Sequence, residues 1–361
     1  MLISTAVLPY NTSCNLTFRP EPEAAFHHLI RTSMKYWRQI LRFLISLQLL
    51  PALESGEETL VGGQAVIEGV MMRSPHAWGI AIRKPSGEIT THSETLQRPS
   101  ERRKWLGWPF VRGLATLGQA MRLGFVASKF SLNVGLESVA AEEGGKKPEI
   151  SGWMMTLNMV FSIAFFIFMY KFVPLVAASG LKKHWSAMNN NFLFNLVDGI
   201  VRILLFLLFV WGISLFADIK RIYHYHGAEH KTVFAFEDHG MPTIDRAQQY
   251  STFHPRCGTS FLMTIMLICI FVYAAFPVQG FWAKFALRIA FLPVIASVSY
   301  ELIRFSARHG KSVFALLTKP GLWLQRITTQ PPTDDQVQCA IRALEEAMEL
   351  EKQHGGELVI A

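Results

Sequence analysis

The sequence predicts a polytopic α-helical membrane protein with about four transmembrane helices and a small cytoplasmic β-containing domain. Three observations predict it. Half of the 361 residues are hydrophobic and only 17% are charged, with 27 Phe and 9 Trp among them, a balance that favours membrane over a set of soluble domains. Four stretches approach the roughly 20 apolar residues that cross a bilayer: about Trp153 to Ala178, Leu196 to Ala217, Ser260 to Phe276 and Phe281 to Leu302. The segment Gly79 to Glu94 alternates apolar and polar residues on both sides of Pro85-Ser86-Gly87, the pattern of a β-hairpin.

The elements follow in order. Residues 1–60 form an N-terminal extension, in which Phe26 to Leu53 mixes Arg31, Lys35, Arg38 and Arg42 with Leu, Ile, Phe and Trp. So many charges suit an interfacial amphipathic helix better than a span. The start carries neither a basic n-region nor an apolar h-region, so no cleavable signal is expected. Residues 61–98 make the small β-rich domain. Residues 99–152 are an interfacial helical segment, with Leu106 to Phe130 as its amphipathic part. Residues 153–317 hold the four spans and, between the second and third, a cytoplasmic motif loop at 218–259. The third span ends at Pro277, where Pro277-Val278-Gln279-Gly280 turns into the fourth. Residues 318–361 are a cytoplasmic tail whose charged stretch Asp334 to Gln353 reads as a capped, soluble helix.

Charge sets the expected orientation. Lys and Arg crowd the stretch before the first span, the loop between the second and third, and the tail, whereas the opposite loops offer only Lys182, Lys183 and Lys284. The positive-inside rule then puts the motif loop and both termini in the cytoplasm. A net charge of +8 could also suit nucleic acid. The cations form no dense block with stacking aromatics, so the expected partner is the lipid bilayer and no nucleic acid. Cys14, Cys257, Cys269 and Cys339 have no C-x-x-C spacing, which excludes a zinc ribbon and a thioredoxin-like pair. Asp198 and Arg202 lie one turn apart in the second span and Arg288 lies inside the fourth, a cost unless they meet partners or water.

The chemistry concentrates in Tyr225-His226-Gly227-Ala228-Glu229-His230-Lys231. On a helix, positions i, i+3 and i+4 share a face, and H-x-x-E-H is a pattern in which two His bind zinc and the Glu polarises a water. Catalytic zinc keeps three protein ligands and one open position. His226 and His230 supply two, and His254, Glu237 or Cys257 is the candidate third. The cofactor expected is a divalent metal such as Zn. Glu229 is the candidate general base, with an ion pair to Lys231 or Arg256 as its structural alternative. Gly62-Gly63-Gln64-Ala65-Val66-Ile67-Glu68-Gly69-Val70-Met71-Met72-Arg73 has neither G-x-G-x-x-G nor a Walker lysine. Its useful members are Glu68, as a second catalytic candidate, and Arg73. Arg73, Lys231 and Arg256 are candidates for binding an anionic part of a substrate. His76, His92, His184 and His239 are expected at the surface, and His224 has no assigned role.

Three stretches together, Gly62 to Arg73, Tyr225 to Lys231 and His254-Pro255-Arg256-Cys257-Gly258-Thr259-Ser260-Phe261, resemble the YqhQ-like family of bacterial membrane proteins over roughly Val61 to Leu317. The resemblance implies a bacterial inner-membrane location and a metal-dependent enzyme, and it supplies no substrate. Hydrolysis at the cytoplasmic membrane surface is the expected reaction type. The alternatives are a non-catalytic membrane scaffold or regulator, in which the His cluster only braces the loop, and a transporter built on Asp198, Arg202 and Arg288.

Overall fold

The computed structural model describes residues 61–143, 152–255, 257–308 and 319–353. The expected amphipathic helix at Phe26 to Leu53 and the candidate Arg256 lie outside the described residues.

Strands β1 (Gly62–Val66), β2 (Gly69–Arg73), β3 (Ala77–Arg83) and β4 (Ile89–Thr95) form an antiparallel meander in that order. The β3–β4 hairpin closes at the Arg83–Ile89 pair, and its turn uses Gly87 at φ 87°, a left-handed conformation that glycine adopts without a Cβ clash. The pleat sends alternate residues to opposite faces. Val70, Met72 and Ala81 face one core, and Met71, Trp78, Ile80 and Ile82 face another. The sheet is therefore covered on both sides. Helix α1 (Val111–Glu143) covers the second face through Leu123, Ala127 and Val134. It begins after Leu106 and runs beyond Phe130, and the sheet occupies the apolar stripe that had suggested an interfacial segment.

The apolar helices come next. Helix α2 (Gly152–Ile167), a π-helical turn at Phe168–Phe172 and helix α3 (Val173–Lys182) form one long rod. Helix α4 (Asn191–Ile213) starts earlier than the hydropathy pattern suggested, because the Asn190 side chain caps the Leu193 N–H at 3.1 Å. The motif segment is no loop. Most of it is helix α5 (Ala217–His239), followed by the short α6 (Ile244–Gln248). Helix α7 (Gly258–Ala275) follows, then α8 (Phe281–Ala290) and α9 (Leu292–Arg308), which bend by 47° at their junction. Among the described residues, three helices are long and apolar enough to cross a membrane, or four if the bent pair is one span. Large apolar side chains such as Phe161, Leu208, Phe271 and Trp282 stand exposed on them. Arg112 forks onto Glu301 with both partners buried, Nε to Oε1 at 2.7 Å and Nη2 to Oε2 at 2.5 Å, fastening α1 to α9.

Helix α10 (Lys319–Thr328) leads to α11 (Asp334–Gln353). The α11 helix is not a solvated tail. It lays Val337, Ala340 and Leu344 with Tyr225 and Ala228 of α5 against the first sheet face. Its far end is anchored by Glu351, which accepts from Ser74 Oγ at 2.7 Å, from the His76 N–H at 2.7 Å and from His76 Nδ1 at 2.7 Å. His76, expected as a free surface residue, bridges Glu351 and Glu101 instead.

Burial opposes the charged form of Glu351, but the donations from Ser74 and His76 outweigh it and hold the carboxyl below its ordinary 4.5. Such a group contributes stability above the unfolded value, and that stability is lost as pH falls through the folded value. Glu351→Gln should therefore cost about 1.5–3 kcal/mol at neutral pH, and the gap to wild type should close below pH 4.5. Thermal unfolding of the detergent-solubilised protein across pH checks both the size and the direction.

Candidate metal centre

Helix α5 carries the H-x-x-E-H residues on one face, and two backbone carbonyls turn both imidazoles inward. A carbonyl can only accept, so His226 Nδ1 donates to the Thr328 carbonyl at 2.8 Å and His230 Nδ1 donates to the Thr252 carbonyl at 2.5 Å. Both tautomers are thereby fixed, with Nε2 left bare to accept or to ligate. The ring centroids stand 4.5 Å apart. Cys257, the N-cap of α7, brings Sγ to 3.3 Å from His226 Nε2. One donor atom from each of His226, His230 and Cys257 lies within 4.8 Å of the others. A bound ion would draw these atoms to within about 2.0–2.3 Å of itself, a modest adjustment.

A second layer holds this geometry. Gln325 of α10 accepts the His254 N–H at 2.7 Å and donates to the His254 carbonyl at 2.8 Å and to Ser260 Oγ at 3.0 Å. It therefore clamps the segment on both sides of Cys257. The chain beyond α10 crosses α5 at Gly227, with the Gln330 N–H on the Tyr223 carbonyl at 2.9 Å and His224 Nδ1 on the Pro331 carbonyl at 2.6 Å. A Cβ at position 227 would stand 2.0 Å from the Gln330 oxygen. Only glycine lets that crossing chain bring the Thr328 carbonyl to His226.

Glu229 lies beside the cluster, with Oε2 at 4.0 Å from His226 Nε2. Its other oxygen accepts the Gly63 N–H at 3.0 Å. A Cβ on Gly63 would come within 2.9 Å of the Glu229 Cγ, whereas one on Gly62 would meet nothing within 4 Å, so only the second glycine of the pair serves close backbone approach. Burial pushes the Glu229 carboxyl up, against the opposing pull of His226 and the Gly63 N–H. Burial likewise pushes His230 down, opposed by Cys257, which keeps a neutral ligand-type imidazole.

Of the remaining candidates, His254 borders the cluster, its ring centroid 5.6 Å from that of His230. His254 Nε2 is 3.6 Å from Glu237 Oε2, so these two residues meet each other. Glu68 sits in the β1–β2 turn at φ 56°, where Arg221 Nε reaches its Oε1 at 2.5 Å and Tyr225 Oη donates to Oε2 at 3.3 Å. Gly63, and not Glu68, is the contact from the sheet to the His face. Lys231 Nζ donates to the Gln248 carbonyl at 2.6 Å, and burial lowers its pKa. Arg73 closes β2 opposite Gly62, and burial, with the neighbouring Arg98, lowers its pKa against an opposing pull from Tyr300. Sequence reasoning missed Gln325, Thr328 and Thr252, two of which act only through backbone carbonyls.

A family model described as "Protein of unknown function (DUF1385)" matches residues 108–350. The chain belongs to this family. It is 30% identical over 297 residues, 80% of this chain and 92% of the relative, to the "Uncharacterized protein YqhQ" of Bacillus subtilis (strain 168). No solved structure matches it. The family match begins after the sheet and continues past residue 317, so it takes in both His-bearing motifs, Gln325 and Thr328.

Gly227→Ala should cost about 1–3 kcal/mol through overpacking and should weaken metal retention although no donor is touched. Gly180→Ala, where a Cβ meets nothing within 4 Å, is the control expected to leave both unchanged. Thermal midpoints and metal content of the two purified variants provide the comparison.

Proposed function

We propose that this DUF1385 member is a metal-dependent hydrolase embedded in the bacterial inner membrane, with its site at the cytoplasmic surface. The observation that carries the reading is the paired Nδ1–H donation of His226 and His230 into backbone carbonyls, which leaves two bare Nε2 atoms beside the Cys257 sulfur. That is the outer-shell arrangement of ligating histidines. His226, His230 and Cys257 hold the ion in this reading, and a His₂Cys set suits zinc. His254 and Glu237 brace the segment instead. A divalent ion there supplies Lewis-acid polarisation and lowers the pKa of water. Glu229 would take the proton as general base, since it shares the helix face of the two imidazoles and the Gly63 N–H orients its carboxylate.

The competing reading is a scaffold or regulator in which the cluster only braces the fold. It draws on the near-complete burial of His230 at 2% and Glu229 at 7% exposure. His226, whose side chain is 15% exposed, offers the more open approach.

The membrane reading rests on the apolar helices with their exposed Phe, Leu and Trp side chains and on the Lys/Arg asymmetry. Asp245 and His184 are both exposed. With a membrane-impermeant maleimide on intact cells, Asp245→Cys should stay unlabelled above the parent's background while His184→Cys reacts. The reverse pattern would invert the orientation and move the site to the other compartment.

Metal content decides the chemistry. Purified wild-type protein should carry one divalent ion per chain. His226→Ala, His230→Ala and Cys257→Ala should each lower metal affinity at least tenfold, the scale of losing a supporting contact alone. Glu229→Gln should keep the ion and lose turnover, and His254→Ala and Glu237→Ala should keep it too. Wild-type protein that binds no divalent metal at neutral pH would leave the bracing cluster as the answer.

A further inference from the structure

A second polar constellation lies among the apolar helices, away from the His–Cys cluster. Lys171, Arg202 and Arg288 surround one aromatic ring, that of Tyr273, at 5.5, 5.5 and 5.4 Å from its centroid. All three cations are buried, Lys171 at 6% and each arginine at 1% exposure. Asp198 is the carboxylate among them. Arg288 Nη1 meets its Oδ1 at 2.5 Å and Arg202 Nη2 meets its Oδ2. Arg202 Nε also donates at 3.0 Å to the Tyr170 carbonyl, which lies in the π-helical turn. Lys171, from the same turn, donates to Tyr273 Oη at 3.1 Å and to Cys269 Sγ at 3.6 Å.

Charge does not balance in this cluster. Arginine stays protonated in proteins, so two guanidinium groups face one carboxylate even if Lys171 is neutral, and Lys171 adds to the excess if it is not. Each guanidinium has one Nη on Asp198. The other Nη of each, Arg202 Nη1 and Arg288 Nη2, is buried without a hydrogen-bond partner among the described residues. An uncompensated buried charge is costly, and water could satisfy the donors without cancelling the charge.

The geometry points to a binding site for a compact monovalent anion of the halide class, held by Arg202 and Arg288 beside Tyr273 and Asp198. The chemistry selects the class. Two unpartnered donors on guanidinium groups that share one carboxylate call for a small acceptor, and enclosure among apolar helices favours an ion that sheds its water readily. Tyr273 positions the cations through its ring and its hydroxyl, which donates to the Arg288 carbonyl at 3.2 Å. The π-helical turn is the local device, since such turns redirect backbone groups at functional sites. The site is independent of the metal reading. Tyr273 lies 16 residues along α7 from Cys257, about 24 Å of helix.

The test uses the purified full chain in detergent, with chloride exchanged for gluconate at constant ionic strength. The thermal midpoint of wild type should rise with chloride and saturate, and bromide should substitute. Arg288→Met removes the excess charge and should abolish the saturable rise. Asp198→Asn increases the excess and should move half-saturation to lower chloride, which keeps the proposal testable if Arg288→Met does not fold. His226→Ala should retain the response, separating this site from the metal centre. Equal wild-type midpoints in chloride and gluconate would overturn the proposal and leave a structural charge lock. A chloride response undiminished in Arg288→Met would overturn it too, by placing the halide elsewhere.

Discussion

His226 and His230 each spend one ring nitrogen on a backbone carbonyl, and much of the architecture around α5 serves to present those two carbonyls. Thr252 follows α6 and Thr328 arrives at the end of α10, more than 70 residues further along the chain. The Thr328 carbonyl could not reach His226 unless the chain after it approached α5 closely, which Gly227 permits by its missing side chain. The sheet closes another side through Gly63 and Glu229. Helix α5 is thus held by the sheet, by α11 and by the chain that joins α10 to α11. A buried imidazole stripped of its carbonyl would leave an unsatisfied donor, at about 1–3 kcal/mol. The shell and the cluster therefore stabilise each other.

This mutual dependence explains why a long, polar helix in an otherwise apolar chain stays in place. Helix α5 buries Glu229, His230 and Lys231 within three consecutive residues, which propensity and hydrophobic patterning alone would not favour. Each has a specific acceptor or donor: the Gly63 N–H, the Thr252 carbonyl and the Gln248 carbonyl. Burying polar groups is tolerable only when hydrogen bonds replace water. Their partners come from the sheet and from the short chain around α6, so the polar face of α5 is completed by tertiary structure.

The sequence made some of this legible, for reasons that can be named. Helical spacing placed His226, Glu229 and His230 on one face, and hydropathy located the apolar helices. Both signals are local. That Cys257, rather than His254 or Glu237, stands within reach of His226 was not legible, because it depends on the path of the segment leading into α7, where Cys257 Sγ reaches His226 and His254 Nε2 faces Glu237. The role of α11 was hidden for a similar reason. A charged helix with an apolar stripe looks solvated until its partner is known, and that partner is a sheet more than 240 residues earlier. Carbonyl acceptors leave no trace at all, since Thr252 and Thr328 contribute through backbone atoms that any residue carries.

Helix α7 ties the two polar constellations to one rigid element. Its last turn is fixed by α4, where Asn191 Nδ2 donates to the Ala274 carbonyl at 2.6 Å and Asn195 Nδ2 to the Tyr273 carbonyl at 3.3 Å. These donors satisfy carbonyls that a helix end leaves open. Its first turn is fixed by Gln325 through Ser260 and His254. A helix held at both ends by directional bonds cannot slide by one residue, a step of about 1.5 Å, without breaking both sets. A metal site tolerates only about 0.2 Å in ligand distance. The buried Asn, Arg and Asp side chains of the apolar helices thus share a task with Gln325. They fix the register of α7 in the bundle, and that register decides whether the Cys257 sulfur stands beside His226 or a turn away from it.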